Sequence, residues 1–311
     1  MTSEELTRAP VGVDRLLAKS VRDVFAAYPQ ALVGEPRAVH ALRIAVRRLR
    51  VTLAVLAAKP DGKRRRRVDR ILRSFGRAVS GSRDLYVSAK LLEHYERPGP
   101  RDRQETAVLR RALAGRRARA RRQSRDDLLD LELAALRIDL RAITARDPIE
   151  GETLRRRLRK LVDVEGAWLA KRLAVIGRRF QPEALHDVRR RARKLRYAAE
   201  IADAVFGENS GAPKALRKLQ DLIGAIHDRH VFAAWLDERA ARASRAGDEI
   251  HARTARLMRG RVLRDARSLH REYLAADPAA IATGALQAMR PEEPPSAGAV
   301  VLDFPEAGAG S

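Results

Sequence analysis

The chain has no cysteine and few aromatic side chains, 4% Phe, Trp and Tyr in 311 residues. Without cysteine there are no disulfides, no thiolate nucleophile and no Cys-ligated metal. Few aromatics mean few platforms on which bases can stack, which argues against sequence-specific binding of single-stranded RNA or DNA. No apolar run approaches the roughly 18 residues of a membrane-spanning helix, and the opening MTSEELTRAP carries acids where a secretory leader would be apolar. A soluble, cytoplasmic protein with no membrane partner is the expectation. Glycine-rich phosphate loops are missing, and so is any strand-like alternation long enough to form a sheet.

What is present in excess is positive charge. Lys and Arg number 64 against 40 Asp and Glu, a formal net charge of +24, and the pI is about 11.3. That excess exceeds what solubility needs and points to an anionic partner with many charges. Nine of the 64 are lysine and 55 arginine. The guanidinium fork suits phosphate oxygens, yet the placement of these arginines says more than their number.

That placement centres on residues 39–50, VHALRIAVRRLR, which return as residues 185–196, LHDVRRRARKLR. Aligning His40 with His186, 146 residues on, pairs Arg43 with Arg189, Arg47 with Arg193, Arg48 with Lys194 and Arg50 with Arg196. On a helix His40, Arg43, Arg47 and Arg50 fall within a sector of about 80°, while Leu42, Val46, Leu49 and Leu53 lie on the other side. Solvated helix faces usually intersperse acids at i,i+4, and neither stripe contains one. A second stripe, Arg66, Arg70, Arg73 and Arg77, spans about 60° of the next helix. Its later counterpart carries Lys214, Arg217 and Lys218.

Periodicity and breakers divide the rest. Helices are expected over residues 13–28, closed by Pro29, then from His40 to about residue 59, and over 63–79. Ser80-Gly81-Ser82 should break the chain before a helix in which Asp84 caps or favours the N-terminus. Residues 104–145 read as helical throughout, with arginines spread around the surface. Asp147-Pro148 divides the halves. Helices then follow over 152–180, from His186 to Phe206, and over 214–226, with two more in 229–275. Residues 1–12 read as a flexible N-terminus, and residues 278–311, rich in Ala, Gly and Pro, as a disordered acidic tail. The chain is thus expected to be all-α, with residues 13–146 and 147–277 as two matching helical bundles made by internal duplication.

The two His-Arg stretches, together with SGSRDLYV and LQDLIGAIHDRHV in the same order in each half, resemble the CHAD family, the histidine-bearing α-helical domain. The resemblance covers about residues 13–275. It implies two antiparallel four-helix bundles related by pseudo-twofold symmetry, with the basic helices around a shared cleft or pore. It also implies binding of inorganic polyphosphate, often at polyphosphate granules. The family pattern carries onto His40, Arg43, Arg47, Arg48, Arg50, His186, Arg189, Arg193, Lys194 and Arg196. Arg70, Arg73, Arg77, Lys214, Arg217 and Lys218 extend it. Flanking arginines should depress the pKa of His40 and His186.

Other readings carry less. A nucleic-acid binder would use scattered surface arginines as much as the stripes. His186-Asp187 and His227-Asp228 superficially resemble the His-Asp pairs of helical metal-dependent phosphohydrolases, but the surrounding cations would repel a metal. His227 and His230 lack the accompanying acid of a metal motif. The expectation is a protein with no catalysis of its own and no cofactor.

Overall fold

A computed structural model of the protein describes residues 12–96, 99–145, 149–176 and 182–290. In order come α1 (Val13–Leu32), α2 (Pro36–Leu56), α3 (Lys63–Ala78), α4 (Ser80–Tyr95) and α5 (Pro100–Leu129). There follow α6 (Leu133–Thr144), α7 (Gly151–Val175), α8 (Pro182–Phe206), α9 (Ala212–Arg245), α10 (Glu249–Ala275) and α11 (Pro278–Ala288). The protein is all-α, with no strand among the described residues. No helix there is long and apolar enough to cross a membrane. Residues 1–11 and 291–311, expected to be flexible and disordered, lie outside the described residues.

The repeated helix α2 starts because Glu35 accepts the backbone N–H of Ala38 and Pro36 occupies the first turn. Leu42, Val46, Leu49 and Leu53 then enter a core shared with α1, α3, α6 and the end of α5. Its counterpart α8 buries Leu185, Val188, Ala192 and Leu195 against α7, α9 and α11. Each fully buried leucine contributes about 1.5–3 kcal/mol relative to exposure. This anchoring turns the cationic stripe of each helix away from its core. A third apolar cluster locks the C-terminal halves of α2 and α8 side by side, with Val51, Val55 and Leu56 against Tyr197, Ala198 and Ile201.

The expected boundary at residue 147 does not separate the cores. Besides that third cluster, Leu92 of α4 and Leu109 and Leu113 of α5 pack with Phe232 and Leu236 of α9 and Met258 and Val262 of α10. A polar tie reinforces it, Arg229 Nε donating to the Tyr95 hydroxyl at 2.9 Å and also to Asp265. Two of the four apolar clusters among the described residues therefore draw on both sides of residue 147.

Several element boundaries differ from expectation. Pro29 lies in the last turn of α1 and does not stop it. The stretch 104–145 breaks at residues 130–132, so that Leu128 and, after the turn, Leu136 and Leu140 enter one core. The expected break at residues 227–228 is absent, and α9 runs unbroken for 34 residues. In the first half the chain does leave helical geometry at Val79, where Arg43 Nη1 donates to the Val79 carbonyl at 3.4 Å and the Ser80 hydroxyl at 3.1 Å. At Gly224 the corresponding arginine, Arg189, lies over the helix instead. A Cβ there would stand 3.1 Å from Arg189 Nη2, so glycine makes room without a kink. Asp84 consequently sits inside α4, which begins at Ser80, and Asp228 inside α9; neither caps a helix.

The tail is corrected in part. Asp277 caps α11 through the Ala280 N–H at 3.0 Å, Pro278 takes the first helical position, and Ala282 and Ala285 are buried. Small residues that read as disorder are here a close-packing surface. Gly166 of α7 receives Leu286, whose Cδ2 would stand 2.7 Å from an added Cβ. Gly166→Val should therefore destabilise the fold by about 1–3 kcal/mol, lowering Tm in thermal unfolding. Gly284→Ala, with nothing within 4 Å of the new methyl, should instead leave Tm unchanged or raise it slightly.

Candidate functional site

Because α2 and α8 lie side by side with their stripes turned outward from the cores, the stripes meet across a cleft of about 700 Å³. Arg43, Arg47 and Arg50 line it from α2, and His186, Arg189, Arg193 and Lys194 from α8. The walls carry nine Arg and Lys side chains against three carboxylates, Asp69, Asp84 and Glu165, so the space is strongly positive.

The electrostatics record this crowding. Burial, then the facing Arg47 and the neighbouring Arg189 and Arg43, lower the Arg193 pKa from 12.5 to about 9. Arg193 remains charged at neutral pH; the shift measures how unfavourably its charge is placed. At one end of the cleft the rings of His186 and His227 approach to 4.6 Å between centroids. Burial, His186 and Arg189 push His227 down to about 4, although Asp228 and Asp84 pull the other way. His186 is lowered by partial desolvation and by Arg189, with Asp187 opposing. Both imidazoles are therefore neutral at pH 7.

Two acids hold part of the cationic wall in place. Asp69 accepts from Arg50 Nε at 2.8 Å and from Arg73. Against the effect of burial, the hydrogen bonds of Arg50 and Arg73 and the charges of Arg50 and Arg65 keep its carboxyl below the usual range. Glu165 of α7 accepts from Lys194 at 2.6 Å and from Arg191, and these likewise keep it ionised despite burial. The pairs fix the outer rim, while Arg193 stays deep among like charges.

Other expected site residues lie elsewhere. Arg70 and Arg73 line an adjoining groove between α3 and α7. Arg48 and Arg196 both donate to Glu200, at 3.0 and 2.8 Å, and both stand over the Tyr197 ring. Their charge is thereby committed to holding α2 against α8. Lys214, Arg217 and Lys218 line a separate surface hollow, and Arg77 is exposed and donates to Ser74. His40, despite its alignment with His186, is exposed and lines a different hollow with Arg37, Lys90, Arg117 and Arg121.

Several cleft residues were not expected to line the anion site, His227 having been read only as a possible metal ligand and Asp84 only as a helix cap. His227 and Asp84 stand in the second repeated segments, which offered the available signal. Arg190 and Arg191 fall outside the repeated register, and Arg65 has no counterpart of its kind. The suggested metal reading of His227 and His230 finds no third ligand: no group of three His, Asp or Glu able to hold a metal occurs among the described residues.

Fold and site define an all-helical protein in which two matching basic helices face each other across a cationic cleft. The chain belongs to the CHAD domain family, whose signature matches residues 15–237. No curated protein is matched by the sequence. The crystal structure of the CHAD domain from the plant Ricinus communis is similar, with a TM-score of 0.60 and 19% identity over 90% of this chain and 92% of that one. PptA from Streptomyces chartreusis is similar too, with a TM-score of 0.63 and 19% identity over 91% of this chain and 100% of that one. At such identity the likeness speaks for the fold.

A pH dependence follows from His227. Its folded pKa, about 4, lies below the ordinary 6.5, so between those values the unfolded chain takes up a proton that the folded chain refuses. Stability present above pH 6.5 should fall as the pH drops towards 4. Discounted for partial exposure, the loss from this group is about 1–2 kcal/mol. Denaturant unfolding of the ligand-free protein against pH should show this decline, and His227→Gln should show a shallower one.

Proposed function

We propose that the protein binds inorganic polyphosphate in the cleft between α2 and α8, without catalysing a reaction on it, and acts at polyphosphate granules in the cytoplasm. The observation that carries this reading is the facing of Arg43 and Arg47 by Arg189 and Arg193, with Arg193 lowered to about 9 by burial and its neighbours. Such a wall of like charges costs the empty protein free energy, and a bound polyanion returns it. Polyphosphate suits the space because it offers closely spaced negative oxygens and nothing to stack or read. Arginine forks meet those oxygens through charge-assisted hydrogen bonds, each contributing about 1.5–3 kcal/mol before ordering costs. Membership of the CHAD family supports the choice of this polyanion over nucleic acid. The scarcity of aromatics supports it independently.

Binding of labelled long-chain polyphosphate at near-physiological salt, with duplex DNA as competitor, tests the reading. The variant Arg43→Ala/Arg47→Ala/Arg189→Ala/Arg193→Ala should keep its helical circular dichroism and lose more than about a hundredfold in affinity. Its salt slope should also shrink by about 3, taking roughly 0.7 per phosphate contact as for single-stranded nucleic acid. Equal displacement by DNA, or full affinity in the variant, would reject the proposal.

A further inference from the structure

The central cleft shares walls with a second groove on one side and with no hollow on the other, although the two helices that build it match in sequence. On the first side it runs into a groove of about 1020 Å³ between α3 and α7. The two spaces share Ala54, Arg65, Asp69, Glu165 and Lys194 as walls, so they form one path. Beyond the shared neck, Arg66 and Arg70 of α3 line the groove together with Arg156 and Lys160 of α7. All four are exposed, and among the described residues none of their side chains makes a hydrogen bond or ion pair. Arg157, by contrast, is committed to the frame. It donates to the carbonyls of Val55 at 3.1 Å, Ala57 at 2.6 Å and Ala58 at 3.2 Å, fastening α7 to the end of α2.

On the opposite side the residue in register with Ala54 is Glu200, 146 positions on, like His186 from His40. Its carboxylate receives Arg48 and Arg196 and stands 3.8 Å from Arg217. The hollow lined by Lys214, Arg217 and Lys218 beyond it shares no residue with the cleft. At the neck towards α3 and α7 the carboxylates of Asp69 and Glu165 are held by Arg50, Arg73, Arg191 and Lys194, and the small Ala54 side chain leaves the two spaces joined. On the other side the longer Glu200 side chain draws Arg48, Arg196 and Arg217 onto itself, and no wall residue joins the cleft to the hollow.

We infer that a long polyphosphate chain leaves the central cleft on one side only, through the α3–α7 groove, where Arg66, Arg70, Arg156 and Lys160 form an outer binding site. This rests on the proposed polyphosphate function and adds a direction and a chain-length preference to it. A ligand too short to occupy cleft and groove together gains nothing from the outer site.

Titration calorimetry with tripolyphosphate and with long-chain polyphosphate separates the two claims. Arg156→Ala/Lys160→Ala should weaken long-chain binding about tenfold and leave tripolyphosphate binding unchanged. Ala54→Glu, which places a further carboxylate at the neck towards α3 and α7, should also penalise the long chain more than the short one. Lys214→Ala/Lys218→Ala, on the other side, should change neither. An equal loss for both probes in the α7 variant, no loss for either, or a loss as large in the Lys214/Lys218 variant would overturn the one-sided path while leaving the cleft reading standing. Wild-type protein that binds neither probe would overturn both.

Discussion

The structure depends on holding arginines of α2 and α8 against one another. Arg47 and Arg193 repel, and nothing about their own chemistry would bring them together. They meet because each helix commits its other face to a core: Leu42, Leu49 and Leu53 are completely buried on α2, as are Leu185, Val188 and Leu195 on α8. Apolar burial of several leucines outweighs a screened repulsion between cations that still reach solvent. The cluster of Val51, Val55, Tyr197 and Ile201 then sets the separation of the two stripes. A rigid scaffold thus keeps charge in an arrangement that free side chains would avoid, and it does so before any ligand arrives. Such preorganisation lowers the ordering cost of binding.

Carboxylates decide which of these cations remain directed into the cleft. Asp69 and Glu165 steady the rim by pairing with Arg50, Arg73, Lys194 and Arg191. Glu200 acts differently, drawing Arg48 and Arg196 into the helix contact instead of the cleft. Because Ala54 stands where the matching register places Glu200, two similar helices present unequal sides. The same inequality shows in the segments that follow. Arg43 is tied to a kink at Val79 and Ser80, whereas Arg189 lies across an unbroken helix at Gly224. One recurrent arginine thus meets two backbones, and the backbone sets how far its guanidinium reaches.

Much of the fold was legible in the sequence. The all-α class followed from 3.6-residue periodicity and from the lack of strand alternation, and the cores follow the apolar faces of α2 and α8 residue by residue. Boundaries were less legible where tertiary packing overrode a local breaker. Residues 227–228 read as a break, but α9 continues through them, and Gly224 leaves room for Arg189 across the unbroken helix. Asp277-Pro278 reads as the start of disorder, but capping and the fit of Leu286 on Gly166 make it a helix start. Of the expected site, Arg43, Arg47, Arg50, His186, Arg189, Arg193 and Lys194 come together at one cleft, an arrangement that the family resemblance implied and the stripes alone did not. His40, Arg77 and Lys214 do not, because a helical stripe specifies an angle about one axis and says nothing of what stands opposite. The α7 cations, Arg156 and Lys160, belong to a helix with no repeated motif to draw attention to them.

The sequence by itself determined the periodicity, the excess of arginine and the doubling of one cationic stripe, because these are properties of neighbours along the chain. It therefore determined that two helices would each carry a basic face with an apolar back. Tertiary structure alone decided that the two faces would oppose each other, that His227 would meet His186, and that Glu200 would pair with Arg48 and Arg196 while Ala54 lined both cleft and groove. Those outcomes depend on side chains from α2, α3, α7, α8 and α9 converging from distant positions. Burial and Coulomb interaction act through space, and periodicity along a single chain does not report it.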